Sequence, residues 1–274
     1  MFNDIHLGPI TIHMYGLMIA IGFGAALIVA SYRGKKRGLN DDIFNGIFIC
    51  AVVGGLLGSR ILYYIVELPN IIKTPSILWD FSVGYVVYGG IIGGILASYI
   101  YCRIKKVVFL DYFDIVMPEV AMAQGFGRLG CFFAGCCYGK ETDAWYGITF
   151  THSNMAPNGV KLIPTQLISS AGDFIFAGLL MFYASKKPLK GRVAAMYLVF
   201  YGIGRFAVEF LRNDHRGTVG PLSTSQFISI GIVALGIVIY VLAGKLKGKE
   251  ETAEEEMCQE HFIYVRLQLE ILKI

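Results

Sequence analysis

The sequence predicts an all-α integral membrane protein with seven transmembrane helices, its N-terminus outside and its C-terminus cytoplasmic. Three observations lead there. Of the 274 residues, 55% are hydrophobic and only 16% are charged, against about one-quarter charged in a soluble domain. Seven apolar runs come close to the roughly 20 residues needed to cross the hydrocarbon core. Basic residues also alternate from loop to loop, which fixes the sidedness.

The runs fall at about 13–32, 43–66, 84–104, 113–136, 167–185, 193–211 and 226–244. The fourth is the least regular, because Pro118, Glu119, Gln124 and Arg128 interrupt it. The segments "RGKKRG", "RIKK", "KKPLKGR" and "KLKGK" hold fourteen Lys and Arg residues, whereas the alternate set of linkers holds five. The basic set belongs on the cytoplasmic side. The two long outer linkers, 67–83 and 137–166, carry Trp79, Trp145 and several prolines and are expected to form interfacial arms. Residues 1–249 form one polytopic domain. Residues 250–274 open with the acidic run "EETAEEE" and read as a peripheral cytoplasmic tail. The N-terminus lacks the basic region and cleavage site of a signal peptide. The net charge of +4 does not indicate nucleic acid, because the basic residues sit in short membrane loops.

Ionisable side chains inside such runs are costly and mark functional sites by default. Arg128 lies in "QGFGRLGCFFAGCCYGK", with Gly125, Gly127 and Gly130 leaving room around it. It either binds a ligand or pairs with a buried acid such as Glu119. In "YGIGRFAVEFLR", Tyr201, Arg205 and Glu209 recur every fourth residue and form one polar stripe. That stripe is either an internally satisfied ion pair or half of an anion site. Guanidinium forks bind phosphate in bidentate fashion, so two arginines on separate helices suggest a cavity for a phospholipid headgroup. Tyr15 and Tyr88 each stand at the outer entry of a span, Tyr88 directly before Gly89 and Gly90. Tyr15 also suits an aromatic belt, and the two tyrosines with the small residues beside them would make a hydrogen-bonding cavity mouth. Pro164 suits a helix start, and Gln166 would point an amide into the bundle.

Cys131, Cys136 and Cys137 admit three readings: a zinc site completed by His152 or His215, a disulfide, or small packing residues. Packing leads, and neither a metal nor a cofactor is expected.

Together these motifs resemble the prolipoprotein diacylglyceryl transferase family. "GRLGCFFAGCCYGK" is similar to its G-R-[IL]-G-N-F-x-N-G-E-x-Y-G signature, and "YGLMIAIGF", "YGGIIGG", "PTQL" and "YGIGRFAVEFLR" follow in family order between Met14 and Leu242. The resemblance implies a bacterial plasma-membrane enzyme. It would move the diacylglyceryl group of phosphatidylglycerol to the lipobox cysteine of a preprolipoprotein signal peptide and release glycerol phosphate. It also implies that Arg128 and Arg205 are the two essential arginines, Tyr15 the first-span tyrosine and Gly139 the glycine closing the signature. Tyr201 and Glu209 fall on family positions as well. Tyr88, Glu209 and His215 are then candidate bases, and Tyr15, Tyr201, Gly89, Gly90, Gly139 and Gln166 candidate headgroup contacts. The chain departs from the pattern where Cys131, Ala134 and Cys136 replace Asn, Asn and Glu, and where Tyr88 replaces a histidine. A related transferase with another acceptor, or a non-catalytic lipid-binding protein, are the alternatives.

Overall fold

The computed structural model describes residues 4–7, 10–80, 84–213 and 217–245. The expected tail and the candidate base His215 lie outside them. The architecture is helical: α1 (Met14–Lys36), α2 (Asp41–Val66), the short α3 (Leu68–Lys73), α4 (Val87–Ile104), α5 (Phe109–Ala134), α6 (Thr165–Ser185), α7 (Arg192–Glu209) and α8 (Thr224–Lys245). Five of these, α1, α2, α4, α6 and α8, are long and apolar enough to cross a membrane. The polar residues that interrupt α5 and α7 keep them out of that set. Three two-stranded antiparallel sheets, not foreseen from the sequence, are added: β1 (Asp4–Leu7) with β2 (Ile10–His13), β3 (Ile148–Thr149) with β4 (Lys161–Leu162), and β5 (Thr218–Val219) with β6 (Leu222–Ser223).

Large apolar side chains face outward along the helices, as Ile49, Val53, Leu56, Leu57, Ile61 and Ile65 do on α2. In water this surface would be a liability. In hydrocarbon it faces its natural solvent, and the drive for helix association passes to close packing and polar contacts.

The α2–α4 pair shows the consequence. Gly54 and Gly58 face Gly89 and Gly93, and a Cβ at any of the four would collide with carbonyl groups of the opposite helix. Backbones in direct contact are what small residues four apart permit. Across the bundle, α1 packs on α5, where a Cβ on Gly22 would meet Phe126. The hydroxyl of Ser170 on α6 donates to Gly125 O of α5 (2.9 Å).

Charged groups at the end where α1 finishes act structurally. Glu119, fully buried, pairs with Arg33, and Arg37 donates to Ala184 O. Asp114 of α5 accepts from Gly191 N (2.6 Å) and Ala194 N (3.0 Å), so a residue almost eighty positions away caps α7. At the opposite end, Ser223 and Gln226 exchange side-chain-to-backbone hydrogen bonds of 3.1 and 3.0 Å, a capping box that starts α8.

Candidate active site

The site lies where α5 ends and α6 and α8 begin. Three contacts order its walls. Asp114 of α5 caps the start of α7, Gln124 hydrogen-bonds Tyr197, and Gly139 bridges Arg212 beyond both helices. The matched order shows that α5 and α7 run parallel, and α6 runs antiparallel beside α5, its start held at Cys136 and Cys137 and its Ser170 on Gly125 O. Arg128 and Arg205 both fall between the second and third anchors. A pocket below them is lined by Gln124 of α5, Asp173 and Phe176 of α6, and Tyr197 and Tyr201 of α7.

The two arginines are held differently. Arg205 pairs with Glu209 (Nη1–Oε2 2.6 Å) and donates to Ser225 Oγ at the start of α8 (2.7 Å). Glu209 Oε2 also lies 4.0 Å from Arg212 Nε, so one carboxylate sits between two guanidiniums. The expected internal pair therefore forms. Arg128, by contrast, makes no hydrogen bond or ion pair among the described residues. Glu119 is taken by Arg33, so the alternative of an Arg128–Glu119 pair is excluded. Asp173 of α6 is the acid within electrostatic reach of Arg128, and it had not been singled out from the sequence. A lone Asp in an apolar run was its available signal.

Tyr15 lies across α5 against Gly130, where a Cβ would stand 3.1 Å from its ring, and it is within electrostatic reach of Arg128. Gly139 has a packing reason to be glycine: a Cβ there would meet Ile163 O at 2.6 Å and Thr165 Cγ2 at 2.8 Å. Gln166, 1% exposed, donates through Nε2 to Cys136 O (2.8 Å). Its Oε1 is buried with no hydrogen-bond partner among the described residues. Tyr15, Arg128, Gly139, Gln166, Tyr201, Arg205 and Glu209 thus gather at one end of the α1–α5–α6–α7 group. Tyr88, Gly89 and Gly90 belong to the α2–α4 pair instead. Tyr88 is half exposed, and the two glycines lie against α2 backbone.

The signature loop brings its thiols together. Gly135 has φ +69°, and Cys136 N donates to Cys131 O (3.1 Å) while Gly135 N donates to Phe132 O (3.2 Å). This is a Schellman turn, and it returns Cys136 onto Cys131. Cys137 then takes φ +61°, which costs about 1–2 kcal/mol for a residue with a Cβ. Hydrogen bonding with the thiols of Cys131 and Cys136, and secondarily the Arg212 guanidinium, hold the Cys137 thiol below the usual range. The five described cysteines are thiols, so the expected alternative of a disulfide is not realised here. His152 is exposed and outside the thiol group, which removes it as a fourth zinc ligand.

An arginine missed from the sequence is Arg60 of α2, 7% exposed. It donates to Asp80 O (2.6 Å), Leu78 O (3.3 Å) and Gly84 O (3.3 Å), and through Nε to Tyr64 OH (2.8 Å). It gathers the linker after α2, whose residues Pro75–Trp79 form a 3-10 turn.

Residues 4–242 match the family model described as prolipoprotein diacylglyceryl transferase. The chain is 49% identical over 229 residues to a phosphatidylglycerol–prolipoprotein diacylglyceryl transferase of Clostridium tetani, covering 84% of this chain and 92% of that one. It is 48% identical to phosphatidylglycerol–prolipoprotein diacylglyceryl transferase 2 of Clostridium perfringens, over 89% of this chain and 95% of the relative. A Clostridioides difficile protein of the same name is 37% identical over 90% of this chain and 96% of the relative. With matching of this extent, the chain belongs to the prolipoprotein diacylglyceryl transferase family.

Proposed function

We propose that this protein transfers the diacylglyceryl group of phosphatidylglycerol to the lipobox cysteine of preprolipoproteins, working in the bacterial plasma membrane. The observation that carries this reading is Arg128: a guanidinium on a membrane helix, without a hydrogen-bonding partner among the described residues and in the same interval as Arg205. An arginine so placed calls for an anion, and the anion available at that depth is a lipid phosphate. Seven spans with an outer N-terminus, α5 and α7 included, put this end of the bundle at the outer leaflet, where a translocated signal peptide presents its cysteine.

In the proposed reaction, the cysteine sulfur attacks the glyceryl carbon that carries the phosphate ester. A C–S bond forms, the C–O bond breaks, and its electron pair stays with the phosphate of departing glycerol phosphate. The sulfur attacks as thiolate, because a free thiol of pKa near 8.5 is mostly protonated at neutral pH. Arg128 and Arg205 stabilise the charge that develops on the phosphate. Glu209 fixes the Arg205 fork, Tyr201 and Tyr15 flank the headgroup, and the orphan Oε1 of Gln166 accepts from a headgroup hydroxyl. Glu209, which lies at this end of the bundle, is the candidate to receive the thiol proton ahead of Tyr88 on the α2–α4 pair, and Glu209→Gln and Tyr88→Phe separate them.

The test is transfer to a lipobox peptide in phosphatidylglycerol vesicles, with rescue of a strain depleted of its own lipoprotein transferase. Turnover that releases one glycerol phosphate per thioether, and rescue by the intact chain, are expected. A membrane-inserted, well-expressed chain that does neither overturns the proposal.

A further inference from the structure

Cys131, Cys136 and Cys137 present their three Sγ atoms within 4.8 Å of one another. We propose that they form a three-thiolate site for a soft d10 metal ion, Cu+ or Zn2+, which clasps the end of α5 to the loop that follows it. This goes beyond the transferase reading and does not depend on it. It also revises the sequence-based expectation that no metal is bound.

The geometry supports it in four ways. Metal–sulfur bonds of about 2.3 Å place trigonal or tetrahedral thiolates about 4 Å apart. The observed spacing closes onto an ion with side-chain movements of under about an ångström. The backbone is already committed to the arrangement. The Schellman turn at Gly135 folds Cys136 back onto Cys131, and the left-handed Cys137 turns the next thiol toward the same point. Backbone strain in a residue with a Cβ is retained only where the surroundings over-determine it. Here Thr165 Oγ1 donates to Cys137 O (2.7 Å) and Gln166 Nε2 to Cys136 O (2.8 Å). These bonds engage the carbonyls of Cys136 and Cys137, while Cys136 Sγ donates to Cys131 O (3.7 Å) with the three sulfurs still within 4.8 Å of one another.

Charge balance is the third support. Three thiolates and a monovalent or divalent ion leave a net negative site. Arg212, 7% exposed, hydrogen-bonds Cys137, and Arg128 lies within electrostatic reach of Cys131. Ligand chemistry is the fourth. Thiolates select Cu+ and Zn2+ over harder ions, and among the described residues no His, Asp or Glu joins the group. Three sulfurs alone suit three-coordinate Cu+. Zn2+ would take a water as its fourth ligand.

The test uses the full chain purified in detergent under reducing conditions, titrated separately with Cu+ and with Zn2+. One equivalent of either ion per chain is expected, and the bound ion should protect Cys131, Cys136 and Cys137, but not Cys50, from alkylation as mapped by peptide mass. The protection measurement needs no variant, so it stands even where a substitution unfolds the protein. Cys131→Ser, Cys136→Ser and Cys137→Ser should each weaken binding more than about tenfold, the lower bound for losing even an outer-shell partner. Cys50→Ser should leave it unchanged. The stronger of the two titrations identifies the ion. Absence of stoichiometric binding by both ions overturns the site. Stoichiometric binding that protects other cysteines, or that survives the triple Ser variant, overturns it as well.

Discussion

Arg60 and Arg128 are both arginines on apolar helices near the same end of the bundle, and their surroundings are opposite. Arg60 is enclosed: carbonyls of residues 78, 80 and 84 accept from its fork, and the rings of Tyr63, Tyr64 and Tyr85 stand within 5.6 Å of its carbon. Arg128 has open space at its neighbour Gly127, where an added Cβ would meet nothing within 4 Å, and no hydrogen bond among the described residues. The difference teaches how to tell a staple from a binding group where any cation is costly. An arginine saturated by its own chain fixes a loop, and one with its donors still available is positioned for a ligand. Arg205 is intermediate: it is held by Glu209 and Ser225, and it lies in the same interval of the bundle as Arg128.

The sharpest way to break this contrast is to truncate the binding arginine. Arg128→Ala should lower kcat by about 10²–10³, the loss of one donor to developing transition-state charge, with an unchanged melting temperature in detergent. Arg128→Lys should rescue little, because a point charge cannot reproduce the fork. A large drop in thermal stability would instead make Arg128 a staple like Arg60. The converse substitution, Arg60→Ala, leaves the carbonyls of residues 78, 80 and 84 without their donor and should cost about 2–3 kcal/mol, near the upper figure for one orphaned buried acceptor, because these part-buried oxygens regain water. Limited proteolysis would then cut between residues 67 and 84 while phosphatidylglycerol binding persists. Equal loss of binding and stability would merge the two arginines into one class.

The helix pair that carries Arg60 can be probed directly. Gly93→Ala forces a methyl against Gly54 and Gly58 backbone and should destabilise by about 1–3 kcal/mol, as overpacking does, read from the unfolding midpoint. The smallest expected effect is at the far end. Asp114→Ala removes the cap of α7 and should cost about 1 kcal/mol, with kcat within about twofold of wild type, equivalent to about 0.4 kcal/mol of altered positioning. A larger kinetic effect would mean that the parallel register of α5 and α7, and so the spacing of Arg128 and Arg205, depends on that cap.

Much of the scaffold was legible in the chain. The apolar runs foretold every long helix to within a few residues, because hydrocarbon leaves the backbone few alternatives to internal hydrogen bonding. The start of α4 came later than expected, at Val87 rather than residue 84, and α5 began earlier, at Phe109. Arg128, Arg205 and Glu209 stood out because charge in an apolar run is rare. Asp173 did not, since one acid among 21 helical residues reads as tolerable until its burial beside Arg128 is seen. Arg60 was passed over for the same reason. The β3–β4 and β5–β6 hairpins were invisible because two-residue strands have no period to detect, and the four-residue β1 and β2 are barely long enough to show one.

By itself the sequence determined the class of environment, the number of apolar runs, the charge asymmetry and the family motif in order. Those depend on composition and spacing along the chain, and solvent partitioning reads them locally. Tertiary structure decided which charges are spoken for. Glu119 went to Arg33, Asp114 to the start of α7 and Glu209 to Arg205, which left Arg128 available. It also decided that three cysteines, ambiguous as spacing, share one point in space. Partnership between side chains depends on helix register and on the left-handed residues Gly135 and Cys137, and neither has a local signature strong enough to read.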